Sequence, residues 1–164
     1  MTLAILTLSL LALAGSPSPA PAPSILLGSG AKMCDALTPA DLKAQGLSPD
    51  AKTIVNVPEP ISAYCTYAGK SGATGGIEMD VFAAGTDALD TQKTILGELG
   101  GMKPAGYPGV DESLMNLEAV SGGPKFAVLV VRKAGLVFTL SLPSAPKAKD
   151  QLFALAKLVL SRLK

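Results

Sequence analysis

Histidine is absent from the 164-residue chain. That removes the Ser–His–Asp and Cys–His triads and every zinc site built on imidazole. Tryptophan is also absent, and there are only three tyrosines and four phenylalanines. Charged residues make up 16% of the chain, where about a quarter is usual. The formal net charge is +1, so bulk charge gives no reason to expect a nucleic-acid partner. No G-x-S-x-G nucleophile elbow occurs. An enzyme built on this chain would have to rely on carboxylate, lysine or tyrosine chemistry, and the composition favours a non-catalytic protein without a cofactor.

The apolar residues are concentrated at the N-terminus. Leu3 to Ala14 form an almost unbroken uncharged run, too short to span a bilayer, which takes about 20 helical residues. It ends in Ala12-Leu13-Ala14, a small-x-small cleavage pattern. No lysine or arginine precedes the run, which leaves two accounts of the leader: a misassigned start, or a positive charge supplied by the N-terminal amine. Residues 1–14 are read as a signal peptide and the protein as exported, to the periplasm, the envelope or the exterior. Ser16 stands where a lipobox needs its cysteine, so lipidation there is not expected. Residues 15–31 are a Pro/Ala/Ser-rich linker whose alternating prolines at 17, 19, 21 and 23 favour extended polyproline II. The first charged residue is Lys32, and a single domain is expected over 32–164.

Cys34 and Cys65 are the only cysteines. An even count in an exported chain reads as a disulfide, which closes a loop worth roughly 3–4 kcal/mol by chain entropy. A redox couple would favour C-x-x-C spacing. Thr38-Pro39-Ala40-Asp41 is a helix start, and Gly46 is a stop. Thr53–Val57 is β-prone. Ile61, Ala63, Cys65 and Tyr67 alternate with polar residues, as do Ile77, Met79, Val81 and Ala83. A second helix is expected over Asp87–Leu99. A three-stranded meander follows over 114–120, 125–132 and 136–142, its middle strand apolar on both faces at 127–131. A last helix over 148–163 carries a core stripe of Leu152, Leu155, Ala156, Val159 and Leu163. The order is α-β-β-β-α-β-β-β-α: an α+β domain, with one twisted antiparallel sheet of about six strands and three helices packed against it.

The run Cys34-Asp35-Ala36-Leu37-Thr38-Pro39-Ala40-Asp41-Leu42, followed by a strand bearing Cys65, resembles the opening of small secreted domains of unknown function in bacterial, especially actinobacterial, lipoproteins. The turn Pro108-Gly109-Val110-Asp111-Glu112-Ser113, with strands and a helix after it, is similar to the same group, and the layout resembles the PsbP-like α+β fold. The resemblance covers about residues 33–164. It implies a non-catalytic or sensor-like envelope module and carries over no catalytic residues.

Glu78 and Asp80 lie two apart on one strand, which places them on one face about 7 Å apart. Such a pair can serve an inverting glycosidase or join a calcium site, although a solvated strand face is the commoner outcome. Asp111-Glu112 is a second pair of oxygen ligands, without calcium-loop spacing around it. Gly69-Lys70-Ser71 ends like a P-loop, but Tyr64 stands where the pattern needs glycine. Charge is polarised along the chain: Lys32–Glu118 carries net −6 and Lys125–Lys164 net +7. Neutralisation within the fold is the favoured account. The alternative is a weak contact of Lys147, Lys149, Lys157, Arg162 and Lys164 with an anionic surface. The resulting expectation is a monomeric envelope domain that binds an unidentified ligand or protein. The alternatives are a carboxylate hydrolase and a secreted protease inhibitor presenting the loop Ser71–Gly76.

Overall fold

The computed structural model describes residues 34–55, 61–69, 77–82, 90, 93, 94, 97, 101–120 and 125–162. The expected signal peptide and linker, the Ser71–Gly76 loop and the Lys70-Ser71 of the P-loop-like stretch lie outside them.

A 3-10 turn, Cys34–Ala36, leads into helix α1, Pro39–Ala44. Thr38 caps α1 through a full capping box. Its Oγ1 accepts from the Asp41 N–H at 3.2 Å, and its own N–H donates to Asp41 Oδ2 at 2.7 Å. Pro39 occupies the first turn, where a missing N–H costs nothing. At the other end Gly46 takes φ +74°. The Leu47 N–H returns to the Leu42 carbonyl and the Gly46 N–H to that of Lys43, a Schellman ending that only a left-handed residue permits.

Among the described residues seven strands form one antiparallel sheet: β1 Pro49–Val55, β2 Ile61–Gly69, β3 Ile77–Phe82, β4 Lys103–Pro104, β5 Glu112–Ala119, β6 Phe126–Lys133 and β7 Leu136–Pro143. Their order is β1-β2-β3-β7-β6-β5-β4. The first three strands form a meander; the chain then crosses to the far edge and works back through β5 and β6 until β7 pairs with β3. The sheet thus exceeds the expected six strands by the two-residue β4. Nothing in the composition of Lys103-Pro104 favours a strand, and Pro104 is tolerated because an edge strand needs no N–H on its outer side. β1 starts at Pro49 rather than Thr53, and β5 at Glu112 rather than Leu114. Two α-helices are described in full, α1 and α2 (Ala148–Arg162). Most of the helix expected over 87–99 lies outside the described residues; Asp90, Lys93, Thr94 and Gly97 have helical backbone.

The strand pleat sorts the core into two clusters. Ala127, Leu129 and Val131 of β6 join Leu136, Phe138, Leu140 and Leu142 of β7, Ile77 and Met79 of β3, and Cys65 and Tyr67 of β2 on one face. Leu152, Leu155, Ala156 and Val159 of α2 seal that face, as the helical spacing requires, while Leu163, the last residue of the expected stripe, lies outside the described residues. Val128, Val130 and Val137 build a smaller cluster on the opposite face with Ala119. β6 is therefore apolar on both sides, as its unbroken run from Ala127 to Val131 predicts.

The two ends of the described chain meet at α1. The Cys34–Cys65 disulfide, with Cα atoms 5.7 Å apart, ties the 3-10 turn to β2. Beside it, the buried Tyr67 hydroxyl donates to the carbonyls of Cys34 and Leu37, both at 3.0 Å. Burial holds the Tyr67 phenol above its usual titration range, with Asp35 and Asp41 adding to the effect. From the far end of α2, Arg162 donates to both Asp41 carboxylate oxygens, at 2.6 and 2.9 Å, and to the Ala36 carbonyl at 2.6 Å. Both side chains are little exposed, 14% for Arg162 and 15% for Asp41. Arg162 is thus withdrawn from the basic outer face assigned to it by sequence.

The hydrogen bonds from Arg162, with those from Thr38, hold the Asp41 carboxyl at about 2, against an ordinary 3.8. Because the folded value lies below the unfolded one, this stabilisation is complete above pH about 4 and disappears as pH falls towards 2. Urea denaturation between pH 2 and 7 should show that slope in the wild type. Arg162→Gln should flatten it and cost about 2 kcal/mol at neutral pH; an unchanged slope would contradict the assignment.

The β6–β7 hairpin turns on Ala134 at φ 50° and Gly135 at φ 81°. Both central residues are left-handed, the requirement of a type I′ turn, for which Asn-Gly is the preferred pair. Ala134→Asn should stabilise the protein by about 0.5–1 kcal/mol, readable as a higher urea midpoint at unchanged m.

Candidate binding groove

The four carboxylates singled out by sequence do not converge. Glu78 is half-buried in β3, in register with Thr66 of β2 and Ser141 of β7. Asp80, next on that face of the backbone, stands opposite Tyr64 and Thr139. Asp111 and Glu112 lie at the start of β5, three strand positions away, or at least about 14 Å. Both have structural partners. Asp111 Oδ2 accepts from the Ala134 N–H at 2.8 Å, bracing the hairpin turn. Glu112 takes Lys93 at 2.9 Å on one oxygen and Arg132 at 3.3 Å on the other. Glu112 raises Lys93 above its ordinary range by that hydrogen bond. Among the described residues no cluster of three or more Cys, Asp or Glu side chains could hold a metal ion.

Ser-x-x-Lys spacing, which serine enzymes with a lysine base employ, occurs at Ser29, Ser144 and Ser161. Ser29 lies outside the described residues. The Ser144 hydroxyl donates to the Leu117 carbonyl at 2.8 Å and that of Ser161 to the Leu158 carbonyl at 2.7 Å. Each hydroxyl proton is spent on a backbone oxygen rather than offered to a base.

A concave feature lies at the other edge of the sheet. A groove of about 550 Å³ is lined by Gly101, Lys103, Pro104, Ala105, Met115 to Glu118, and Lys149. Its floor exists because β4 is so short. Lys103 pairs with Met115 and Pro104 with Leu114, and β5 runs on to Ala119 with no described strand on that side. A bulge between Asn116 and Ala119 bends β5 there, and the Asn116 side chain holds the Glu118 N–H at 2.9 Å.

One wall is the loop after β4, latched to Ser113. The Ala105 N–H donates to the Ser113 carbonyl and the Tyr107 N–H to Ser113 Oγ, both at 2.9 Å. That latch sets the Tyr107 ring edge-on to Phe153 of α2, with centroids 5.0 Å apart, and partial burial pushes the Tyr107 phenol up. Lys149, one helical turn before Phe153, places its ammonium 5.6 Å from the Phe153 centroid.

Two lysines therefore stand on the groove, and neither Lys103 nor Lys149 has an ion-pair partner among the described residues. Among the described residues lining the groove the one acid is Glu118, which is engaged by Lys125 at 3.2 Å. The large apolar side chains left exposed among the described residues are Leu117 (39%), on β5 and lining the groove, and Val120 (44%), just past the end of β5. Sequence reading missed this site, because its residues gather only when β4 and β5 pair beneath α2. The Lys149–Phe153 spacing was the one local signal.

No protein family, curated protein or solved structure matches the chain.

Ser113→Ala removes the acceptor of the Tyr107 N–H. The expected cost is about 1 kcal/mol, with faster amide hydrogen exchange at Tyr107 and unchanged exchange in β6. Exchange at Tyr107 equal to wild type would show that the loop holds itself without the latch.

Proposed function

We propose that the chain is an exported, non-catalytic binding domain of the bacterial envelope, monomeric and stapled by its disulfide. The observation that carries this reading is the division of polar groups. The candidate carboxylate pairs lie on separate strands, and Asp111 and Glu112 are committed to structural partners, while Lys103 and Lys149, without an ion-pair partner among the described residues, line one groove with the exposed Leu117. A site that binds needs such convergence of apolar surface and a few polar groups; a hydrolase needs convergent acids. A buried disulfide fits an oxidising compartment, and the apolar leader at 1–14 supplies the route there. The resemblance to small secreted actinobacterial domains points the same way. No helix among the described residues is long and apolar enough to cross a membrane.

Intact mass of protein recovered from an exporting host tests the compartment. The expected product lacks residues 1–14 and takes up no alkylating agent before reduction. A product that retains the leader, or two alkylatable thiols, would overturn export. Hydrolysis of a glycoside or peptide that is abolished by Glu78→Gln or Asp80→Asn would replace binding with catalysis.

A further inference from the structure

We propose that residues 34–47 form a redox-set clasp. The Cys34–Cys65 bond holds this segment shut against β2 and α2, and its reduction releases the segment as one unit while the sheet, with the apolar stripe of α2 on it, stays folded. Neither the groove nor its ligand enters this assignment.

The segment satisfies much of its backbone locally. The Leu42 N–H donates to the Thr38 carbonyl, the Gln45 N–H to that of Asp41 and the Leu47 N–H to that of Leu42. A unit closed on itself in this way can leave without breaking a ladder bond of the sheet. Its fastenings to the body are made by side chains. β2 supplies Cys65 and the Tyr67 hydroxyl, which donates to the Cys34 and Leu37 carbonyls. α2 supplies Arg162, on Asp41 and the Ala36 carbonyl, and Gln151, whose Nε2 donates to the Gln45 carbonyl at 2.8 Å.

The covalent fastening sits where it controls the others. At its C-terminal end the segment runs into β1, which pairs with β2. At its N-terminal end Cys34 is bonded to Cys65 of the same β2. With the bond intact both ends are anchored on one strand, and an opened segment gains little chain entropy. With the bond cut one end is free, and the open state gains the entropy of a loop no longer closed between residues 31 apart.

The body keeps its own support. β1 is an edge strand and the segment precedes it, so departure threads no other element. Phe138, Leu140 and Leu142 of β7 stay against Leu152 and Leu155 of α2. The clasp takes with it Ala36, Leu37 and Leu42 from the same core. Because the whole segment leaves at once, water replaces its carbonyls around Tyr67 and Arg162, and no donor is stranded in an apolar site. What α2 loses is its anchorage at Arg162. An oxidising compartment therefore keeps the clasp shut, and a dithiol that reduces the bond opens it.

The test compares three forms of the full chain by amide hydrogen exchange: oxidised, reduced and refolded under a dithiol, and C34S/C65S. Both cysteines are fully buried, so the reduction is done in denaturant. The dithiol passes two electrons and two protons to the cystine and becomes a disulfide itself, leaving Cys34 and Cys65 as thiols. In both bridge-free forms the amides of Leu42, Gln45 and Leu47 should exchange about a hundredfold faster or more than in the oxidised chain. The ladder amides of β6 and β7 should stay protected. Trypsin should cut after the exposed Lys43 in the bridge-free forms and leave that bond intact in the oxidised chain. Oxidised R162Q, with both ends of the segment still anchored, should exchange more slowly at Leu42 and Leu47 than the bridge-free wild type. Protection of the segment without the bridge would overturn the proposal, as would loss of protection in β6 and β7 together with it. Release of the segment in oxidised R162Q to the same extent would show that the ion pair, not the disulfide, sets the clasp.

Discussion

Arg162 is the side chain through which the last helix closes the domain. Its guanidinium spans two Asp41 oxygens and the Ala36 carbonyl, so one residue fixes α2 to both the 3-10 turn and α1. A fork of donors does this where an ammonium cannot, because the geometry is planar and several bonds form at once. The arrangement has little slack. Asp41 also serves the capping box of α1, and Tyr67 and the disulfide hold the 3-10 turn from the sheet side. Loss of any one partner leaves nearly buried polar groups unsatisfied, a larger penalty than the net gain of the intact pair. The placement of α2 over the sheet, and hence of Lys149 over the groove, depends on this junction.

Legibility from sequence followed the range of the interaction. The Thr38 capping box, the Gly46 stop, the α2 stripe and the two-faced burial of β6 are local patterns written within a few residues, and each appears as the periodicity requires. The Cys34–Cys65 bridge was legible because only one pairing exists. β4 was not legible, since Lys103-Pro104 is a strand only by virtue of lying against Leu114 and Met115. Arg162 was assigned to a solvated face by its helical position, yet it lies at the last turn of α2, where a long side chain can reach past the helix end to Asp41, 121 residues away in sequence. The candidate carboxylates were legible as residues but not as a site, because their separation is set by strand order rather than by spacing.

The polarity of charge along the chain takes on meaning in the fold. Arg162, Arg132 and Lys125, from the basic C-terminal part, reach Asp41, Glu112 and Glu118 in the acidic part. Three basic residues of the C-terminal part thus meet acids of the earlier part within the domain, which favours a compact chain in which the late strands and helix dock onto the early ones. The exposed pairs, such as Lys125–Glu118, contribute little stability by themselves. Their consequence is distributional, since each cancels a charge locally and leaves the uncancelled ones to define the surface field.

On that surface the groove differs from the remainder in kind. Where Glu112 meets Lys93 and Arg132, acid and base alternate and the field averages out. At β4 and β5 a bulge, a two-residue edge strand and a stacked aromatic pair hold open a concavity with lysines on it. Sheet edges of this type are usually blunted by charge or proline, and Lys103-Pro104 does so for two residues only. A lysine placed purely to deter aggregation works best on a strand that is otherwise closed. Here the protection ends where Leu117 and Val120 become exposed.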